Sequence, residues 1–280
     1  MKTRILTSIV LIAILIPVLI FADTVALPIG IALCALIAVY EMLSCMGLKK
    51  SVAISIPFYL SAAAFPFLIR YLNNLILLVD IAFAAIMITV LYLFSVLIFS
   101  HGKYTVQQMG AVIFAMLYII VGFGAIVFVH DYEVGGRYIY LAIFIGAWIT
   151  DIFAYFCGLL LGRGGKHKLI PDVSPKKTVE GSVGGILFCI IAMIVFGIVI
   201  DATTVFHADL LVFALAGLIV SVVSQIGDLS MSVIKRTYGI KDYGKIFPGH
   251  GGILDRFDSI LAVALVLLVF SRFFNFLTVL

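Results

Sequence analysis

The feature that most constrains this chain is a succession of apolar runs, each near the length that a helix needs to cross a bilayer. We mark nine such runs, with boundaries good to about four residues. They lie at 5–22, 24–43, 51–70, 75–99, 109–129, 138–162, 182–200, 209–234 and 257–277. Hydrophobic residues make up 64% of the 280 positions and charged residues only 11%, which is far from the composition of soluble domains. We therefore expect an all-α, polytopic membrane protein with about nine transmembrane helices.

The distribution of Lys and Arg predicts how these helices are oriented. With nine spans, the N-terminus and the loops after the second, fourth, sixth and eighth runs lie on one side of the membrane. That side holds all 18 Lys and Arg residues except Arg70, Arg137 and Arg272. Because positively charged loops stay in the cytoplasm, we expect an N-in, C-out protein of the cell (inner) membrane, with the polar loops described below on the cytoplasmic face.

The chain shows no soluble domain, long linker or internal repeat, so we expect one membrane domain. Its N-terminal part, 1–137, would hold helices one to five. Its C-terminal part, 138–280, would hold helices six to nine and two polar loops, at 163–182 and 236–256. The four cysteines form no C-x-x-C pair, and we interpret them as small core residues rather than disulfides or metal ligands.

A polar stripe runs along the eighth apolar segment. Its members are three or four residues apart and therefore share one helix face; they are Ser221, Ser224, Asp228, Ser232 and Lys235. A packing face is the simple alternative, because serine is common where membrane helices touch. A carboxylate and an ammonium group on that face favour a functional site, since buried charge in a membrane needs a partner or a metal ion.

The loop after this helix combines glycine with charge. In the run Pro248–Gly252 (PGHGG), the glycines would let main-chain N–H groups converge on an anion, although an ordinary turn is the commoner use of such a run. Asp255 and Asp258 follow, three residues apart, and would share a face if the ninth helix starts there. Carboxylates near phosphate-binding groups predict Mg²⁺, which takes one or two carboxylates together with phosphate oxygens.

The loop after the sixth helix carries a second basic cluster. Asp151 and Tyr155 lie one turn apart on that helix, and the segment 174–181 (SPKKTVEG) follows Arg163, Lys166 and Lys168. Anionic lipid headgroups would attract such a cluster. The alternative is a phosphate site shaped together with the other loop. No Walker A motif, zinc pattern or dinucleotide fingerprint is present.

The spacing from Ser232 to Asp258 resembles the signature of the phosphatidate cytidylyltransferases, also called CDP-diacylglycerol synthases. Over these 27 residues the agreement includes Ser232, Lys235-Arg236, Lys241-Asp242, Pro248 to Gly252, Asp255-Arg256 and Asp258. The segments Asp151-x3-Tyr155 and SPKKTVEG are also similar to the second conserved region of that family. The first five helices carry no specific signal.

The resemblance implies transfer of a cytidylyl group from CTP to phosphatidic acid, which yields CDP-diacylglycerol and pyrophosphate in phospholipid biosynthesis. It also implies Mg²⁺ dependence, with a second cation such as K⁺ as an open alternative, and a homodimer in a lipid bilayer. No feature indicates a nucleic-acid partner.

The resemblance marks Asp228, Lys235, Asp255 and Asp258 as catalytic, and Asp228 and Asp255 as metal ligands. The residues that we expect to bind substrate are Ser232, Arg236, Lys241, Asp242, Gly249, His250, Gly251, Gly252, Arg256, Ser174, Lys176, Lys177, Thr178, Glu180, Asp151 and Tyr155. Two other functions stay open at this point. A CTP-dependent lipid kinase would transfer the γ-phosphate, and a cation-coupled transporter would also place Asp and Ser residues inside the membrane.

Overall fold

Helices account for most of the chain. The computed structural model describes residues 13, 16–72, 74–162, 167–247, 249 and 251–279. Its helices are α1 (Ala26–Cys45), α2 (Val52–Tyr71), α3 (Leu75–Phe99), α4 (Val106–His130), α5 (Gly136–Leu161), α6 (Val179–Thr203), α7 (Leu210–Thr237) and α8 (Leu254–Phe273). Within the described residues, the seven helices α1 to α7 are long and apolar enough to cross a membrane. The prediction of a largely helical, polytopic membrane protein is confirmed.

Four short strands that the sequence did not predict accompany the helices. Strand β1 (Lys168–Ile170) pairs antiparallel with β2 (Ser174–Thr178), and β3 (Phe206–Ala208) pairs antiparallel with β4 (Leu277–Val279). The first pair lies in the basic loop after α5. The second pair takes up the end of the ninth predicted run, so the helix stops at Phe273 rather than at 277. Much of the first predicted run, 5–22, lies outside the described residues.

The described residues group into two compact units, within Met1–Val127 with Ile240–Arg256, and within Phe128–Gly239 with Phe257–Leu280. The first unit contains α1 to α4 and the loop that leads into α8. In this unit α3 is strongly apolar apart from Asp80 and little buried, as expected of a helix whose surroundings are lipid.

The second unit contains α5, α6 and α7, which pack closely through glycine. A Cβ at Gly217 of α7 would lie 2.8 Å from the Ile190 Cα of α6, and a Cβ at Gly185 of α6 would lie 2.9 Å from the Thr150 carbonyl oxygen of α5. Small residues let membrane helices approach to backbone contact. This packing fixes the helix faces that carry the polar residues described below.

Candidate active site

The polar stripe of α7 is buried in the structure. Ser221 and Ser224 are fully buried, and Ser232 and Lys235 are each 8% exposed. Next to Asp228 in the chain, a Cβ at Gly227 would lie 2.8 Å from the Asp258 carbonyl oxygen, so α7 and α8 approach closely there. The stripe therefore faces protein rather than lipid, as a membrane helix with charged residues requires.

Asp258 of α8 lies near charged groups of α5 and α7, two of which belong to this stripe. The Asp258 side chain is buried and experiences the charges of Asp228, Lys235 and Asp151. Asp258 Oδ1 accepts a hydrogen bond from the Ser259 N–H at 2.9 Å, and the Ser259 hydroxyl donates to Asp151 Oδ2 at 3.4 Å. We call Asp151, Asp228, Lys235 and Asp258 the charged cluster. The structure thus brings together four of the residues that the sequence marked.

Strand β2 contributes a cation to the same cluster. The Lys177 ammonium forms an ion pair with Asp228 Oδ2, and both side chains are about three-quarters buried. Lys177 follows α5 and Asp228 lies late in α7, so the pair joins the SPKKTVEG segment to the helix that leads into the signature. The same strand ends at Thr178, whose hydroxyl accepts from the Gly181 N–H at 3.1 Å and so caps the start of α6.

The remaining residues of the SPKKTVEG segment and its neighbourhood are more peripheral. Glu180 Oε1 lies 2.5 Å from His167 Nδ1, so this acid interacts with a loop histidine. Ser174 is half-buried, whereas Lys176 and Tyr155 are exposed. Arg163 and Lys166, which belong to the predicted basic cluster, lie outside the described residues.

The glycine-rich loop is a tight turn in the first unit. Phe247 and Gly251 exchange two main-chain hydrogen bonds, with N–O distances of 3.0 and 3.1 Å. Gly249 and Gly251 have φ angles of 80° and 85°, a conformation that favours glycine. Asp255 Oδ2 accepts from the Tyr243 N–H at 2.8 Å and from the Gly252 N–H at 2.9 Å, so this carboxylate holds the loop.

Sequence reasoning missed Glu41, which contacts the same loop. The Glu41 carboxylate is buried in α1 and accepts from the Ile253 N–H at 3.0 Å and from the Leu254 N–H at 2.8 Å. A signal was present, because Glu41 is an acid inside an apolar run and such a residue is by default a site candidate. Gln225 and Ser182 were missed as well; the Ser182 hydroxyl donates to Gln225 Oε1 at 2.5 Å and links α6 to α7.

The sequence predicted that main-chain N–H groups of this loop bind a ligand anion. In the structure, several of these N–H groups donate to protein carboxylates instead. The N–H groups of Gly252, Ile253 and Leu254 donate to Asp255 or Glu41, and that of Gly251 donates to the Phe247 carbonyl. These four donors therefore have acceptors without a phosphate. His250 lies outside the described residues. The other signature residues that flank the loop have exposed side chains; they are Arg236, Lys241, Asp242 and Arg256.

The charged cluster is chemically suited to a divalent cation. Among the described residues, no group of three or more His, Cys, Asp and Glu side chains could hold a metal ion alone. Mg²⁺ does not require such a cage, since phosphate oxygens and water usually complete its coordination. Asp228 meets this need because it lies near the Asp258 carboxyl group and is only partly buried. The donor set fits Mg²⁺ with substrate present.

The fold and this cluster define a polytopic membrane protein with a site of carboxylates and lysine, in which Asp258 and Lys235 are buried. The chain belongs to the cytidylyltransferase family, whose model matches residues 2–274. It is 34% identical over 269 residues to the phosphatidate cytidylyltransferase of Staphylococcus haemolyticus. The aligned region covers 94% of this chain and 96% of that relative. Proteins of that name from Staphylococcus epidermidis and Staphylococcus aureus are 35% and 32% identical over 265 residues, with the same coverage of both chains.

Proposed function

We propose that this protein transfers the cytidylyl group of CTP to phosphatidic acid, which gives CDP-diacylglycerol and pyrophosphate in phospholipid biosynthesis. The observation that carries the proposal is the family membership over nearly the whole chain, together with relatives named phosphatidate cytidylyltransferase at about one-third identity. It is a nucleotidyltransferase that works at a bilayer, on one lipid substrate and one nucleotide.

The reaction is a displacement at phosphorus. An oxygen of the phosphatidic acid phosphate bonds to the α-phosphorus of CTP, and the bond from that phosphorus to the pyrophosphate oxygen breaks. The nucleophile is already an anion, so the step needs no general base. Two polyanions repel each other, and the ammonium and guanidinium groups of Lys235, Arg236 and Lys241 would lower that barrier.

The carboxylates have a complementary part. Mg²⁺ held by Asp228 and Asp255 would supply positive charge against the charge that develops on the leaving pyrophosphate. For Asp255 the assignment rests on its place in the signature. For Asp228 it rests on the family resemblance and on the nearby Asp258 carboxylate. Lys177 balances the Asp228 charge and holds that side chain in place. Asp258 and Asp151 supply the other carboxyl groups of the cluster, and a second cation such as K⁺ belongs to the proposal as an alternative.

The membrane arrangement completes the proposal. We place nine helices across the cell (inner) membrane, N-in and C-out, with the charged cluster and the glycine-rich loop on the cytoplasmic face, where CTP is present. The Lys and Arg distribution supports this orientation. We also propose one membrane domain, with N-terminal (1–137) and C-terminal (138–280) parts, that works as a homodimer.

A label-transfer assay tests the reaction. Purified protein in detergent would receive phosphatidic acid, Mg²⁺ and CTP labelled at either the α- or the γ-phosphorus. We expect α-label in the lipid and γ-label in released pyrophosphate. Transfer of the γ-label to lipid would mean a lipid kinase instead. No transfer of either label, combined with solute uptake into sealed vesicles without CTP consumption, would mean a transporter.

A further inference from the structure

The Glu41 carboxylate occupies the start of α8. Its two oxygens accept from consecutive N–H groups, those of Ile253 and Leu254, at 3.0 and 2.8 Å. The first N–H groups of a helix have no partner within the helix and carry partial positive charge. Glu41, at 2% exposure, supplies both the acceptors and the compensating charge. It does so from α1, more than 200 residues earlier in the chain.

Two glycines make room for this carboxylate. A Cβ added at Gly252 would lie 2.5 Å from Glu41 Oε2 and closer still to Oε1, and its three nearest atoms all belong to Glu41. A Cβ at Gly244 would lie 2.9 Å from Glu41 Cδ. Real side chains do not approach so closely, so both positions admit the carboxylate only because they lack a side chain.

The same main chain also holds Asp255. The N–H groups of three consecutive residues, Gly252 to Leu254, donate to two carboxylates, the first to Asp255 and the next two to Glu41. Asp255 reaches the beginning of the loop as well, through the Tyr243 N–H. The two acids therefore fix both ends of the segment Tyr243–Leu254, and the position of Asp255 depends on the backbone that Glu41 anchors.

We infer that Glu41 is a positioning residue of the reaction, which acts through the first turn of α8 to hold Asp255 and the glycine-rich loop in their working arrangement. This inference rests on the proposed function. Glu41 touches neither substrate nor metal ion in this role. Loss of Glu41 should therefore raise the Mg²⁺ concentration that the reaction needs, with a smaller effect on folding stability. Partners that orient a metal-binding carboxylate typically contribute 10- to 100-fold in metal affinity or activity.

The first test measures the loop without substrate. Amide hydrogen exchange in the detergent-purified full chain should quicken at Ile253 and Leu254 in Glu41→Ala by about 10- to 100-fold, because each N–H loses a bond to a charged acceptor. Glu41→Gln should give a smaller increase, since its amide oxygen still accepts one bond while its NH₂ group faces the other donor. Glu133→Gln, the same change at an exposed acid, is the matched control.

The second test titrates Mg²⁺ in the cytidylyl-transfer assay. Glu41→Ala should raise the Mg²⁺ concentration for half-maximal rate by about 10-fold or more, with Glu41→Gln between it and the wild type. Glu133→Gln should match the wild type. A lower maximal rate with an unchanged Mg²⁺ requirement would mean a general structural role and would overturn the inference.

The third test uses the steric relation between Glu41 and Gly252. Gly252→Ala should displace Glu41 and reproduce the Mg²⁺ defect of Glu41→Ala. In the Glu41→Ala background, Gly252→Ala should add less than about a twofold further effect, because the clashing carboxylate is gone and coupled residues are non-additive. Independent, additive defects would contradict the proposed close contact between Glu41 and Gly252.

The two proposals fail in different ways. If the wild-type protein transfers no label from CTP, the proposed function falls, and the Mg²⁺ result with it. If the wild type is active but exchange at Ile253 and Leu254 is unchanged in both Glu41 variants, the positioning role alone is refuted. Should Glu41→Ala not fold, Glu41→Gln decides by the same two measurements.

Discussion

At the scale of single residues, charge compensation inside a membrane protein dominates the site. Asp228 is paired with Lys177, and Asp258 lies near Asp228, Lys235 and Asp151. Removing one partner of a buried ion pair leaves the other charge uncompensated. This destabilises the protein more than replacing both partners with apolar residues. Substitutions that keep the shape but change the charge are therefore the most informative.

The carboxylates Asp228 and Asp255 should be indispensable for turnover. Asp228→Asn and Asp255→Asn each keep the side-chain volume but lose the charge that would bind Mg²⁺, so we expect the rate to fall at least about 100-fold. The assay is α-label transfer, with thermal unfolding in detergent to verify folding. Asp80→Asn, at an exposed acid of α3, should behave as wild type. Near-normal activity in either variant would refute its metal assignment.

Lys177 should matter through Asp228. Lys177→Met removes the counter-charge of an acid that already has the Asp258 carboxyl group nearby, and we expect turnover to drop about 10- to 100-fold. Lys177→Arg should recover part of the loss because it keeps the charge. The exposed Lys49→Met is the control. Equal rates for the Met and Arg variants would show that the charge of Lys177 has no role.

Residue roles were only partly predictable from the sequence. The spacing of Asp228, Ser232 and Lys235 indicated one helix face, and their helix buries Ser232 and Lys235. The Lys177–Asp228 ion pair and the Glu41 contacts join residues far apart in sequence, and no local pattern encodes such a contact. The glycine-rich loop was expected to direct N–H groups at a bound anion, which stays a prediction. Spacing could not indicate that Asp255 and Glu41 accept from several of these groups.

At the scale of helices and strands, the long elements were predictable and the short ones were not. The bounds of α1 to α7 agree with the apolar runs to within about four residues, because hydropathy over a bilayer length is a local property of the sequence. Strands β3 and β4 are three residues each and pair across about 70 positions. Such strands form only when packing brings them together, so composition alone did not reveal them.

The contact of α6 with α7 should depend on Gly217. Gly217→Ala would place a Cβ 2.8 Å from the Ile190 Cα, so the helices must separate, at a cost of about 1–3 kcal/mol in unfolding free energy. Gly110→Ala in α4 meets nothing within 4 Å and should be neutral or slightly stabilising. Thermal unfolding of both variants in one detergent measures the difference. Equal stability would mean that α6 and α7 are not packed at backbone contact.

At the scale of the whole molecule, the polytopic character follows from composition alone, whereas orientation follows from charge. We predict that Lys103→Cys, in a background with the four native cysteines changed to Ser, is protected from a membrane-impermeant thiol reagent in intact cells. Glu133→Cys in the same background should react, because that loop lies outside in an N-in, C-out protein. Both should react after the membrane is permeabilised. The opposite labelling pattern would invert the orientation.

Because α1 anchors the glycine-rich loop, the signature residues alone are not sufficient to form it. The 27 residues from Ser232 to Asp258 contain every position of the motif. Two main-chain N–H groups at the start of α8 nevertheless donate to Glu41, an acid more than 200 residues upstream. A fragment or chimaera that retained the motif but lacked α1 would keep every signature residue. It would lack the Glu41 carboxylate that accepts from the Ile253 and Leu254 N–H groups. Searching for the motif alone would then accept chains that cannot assemble it.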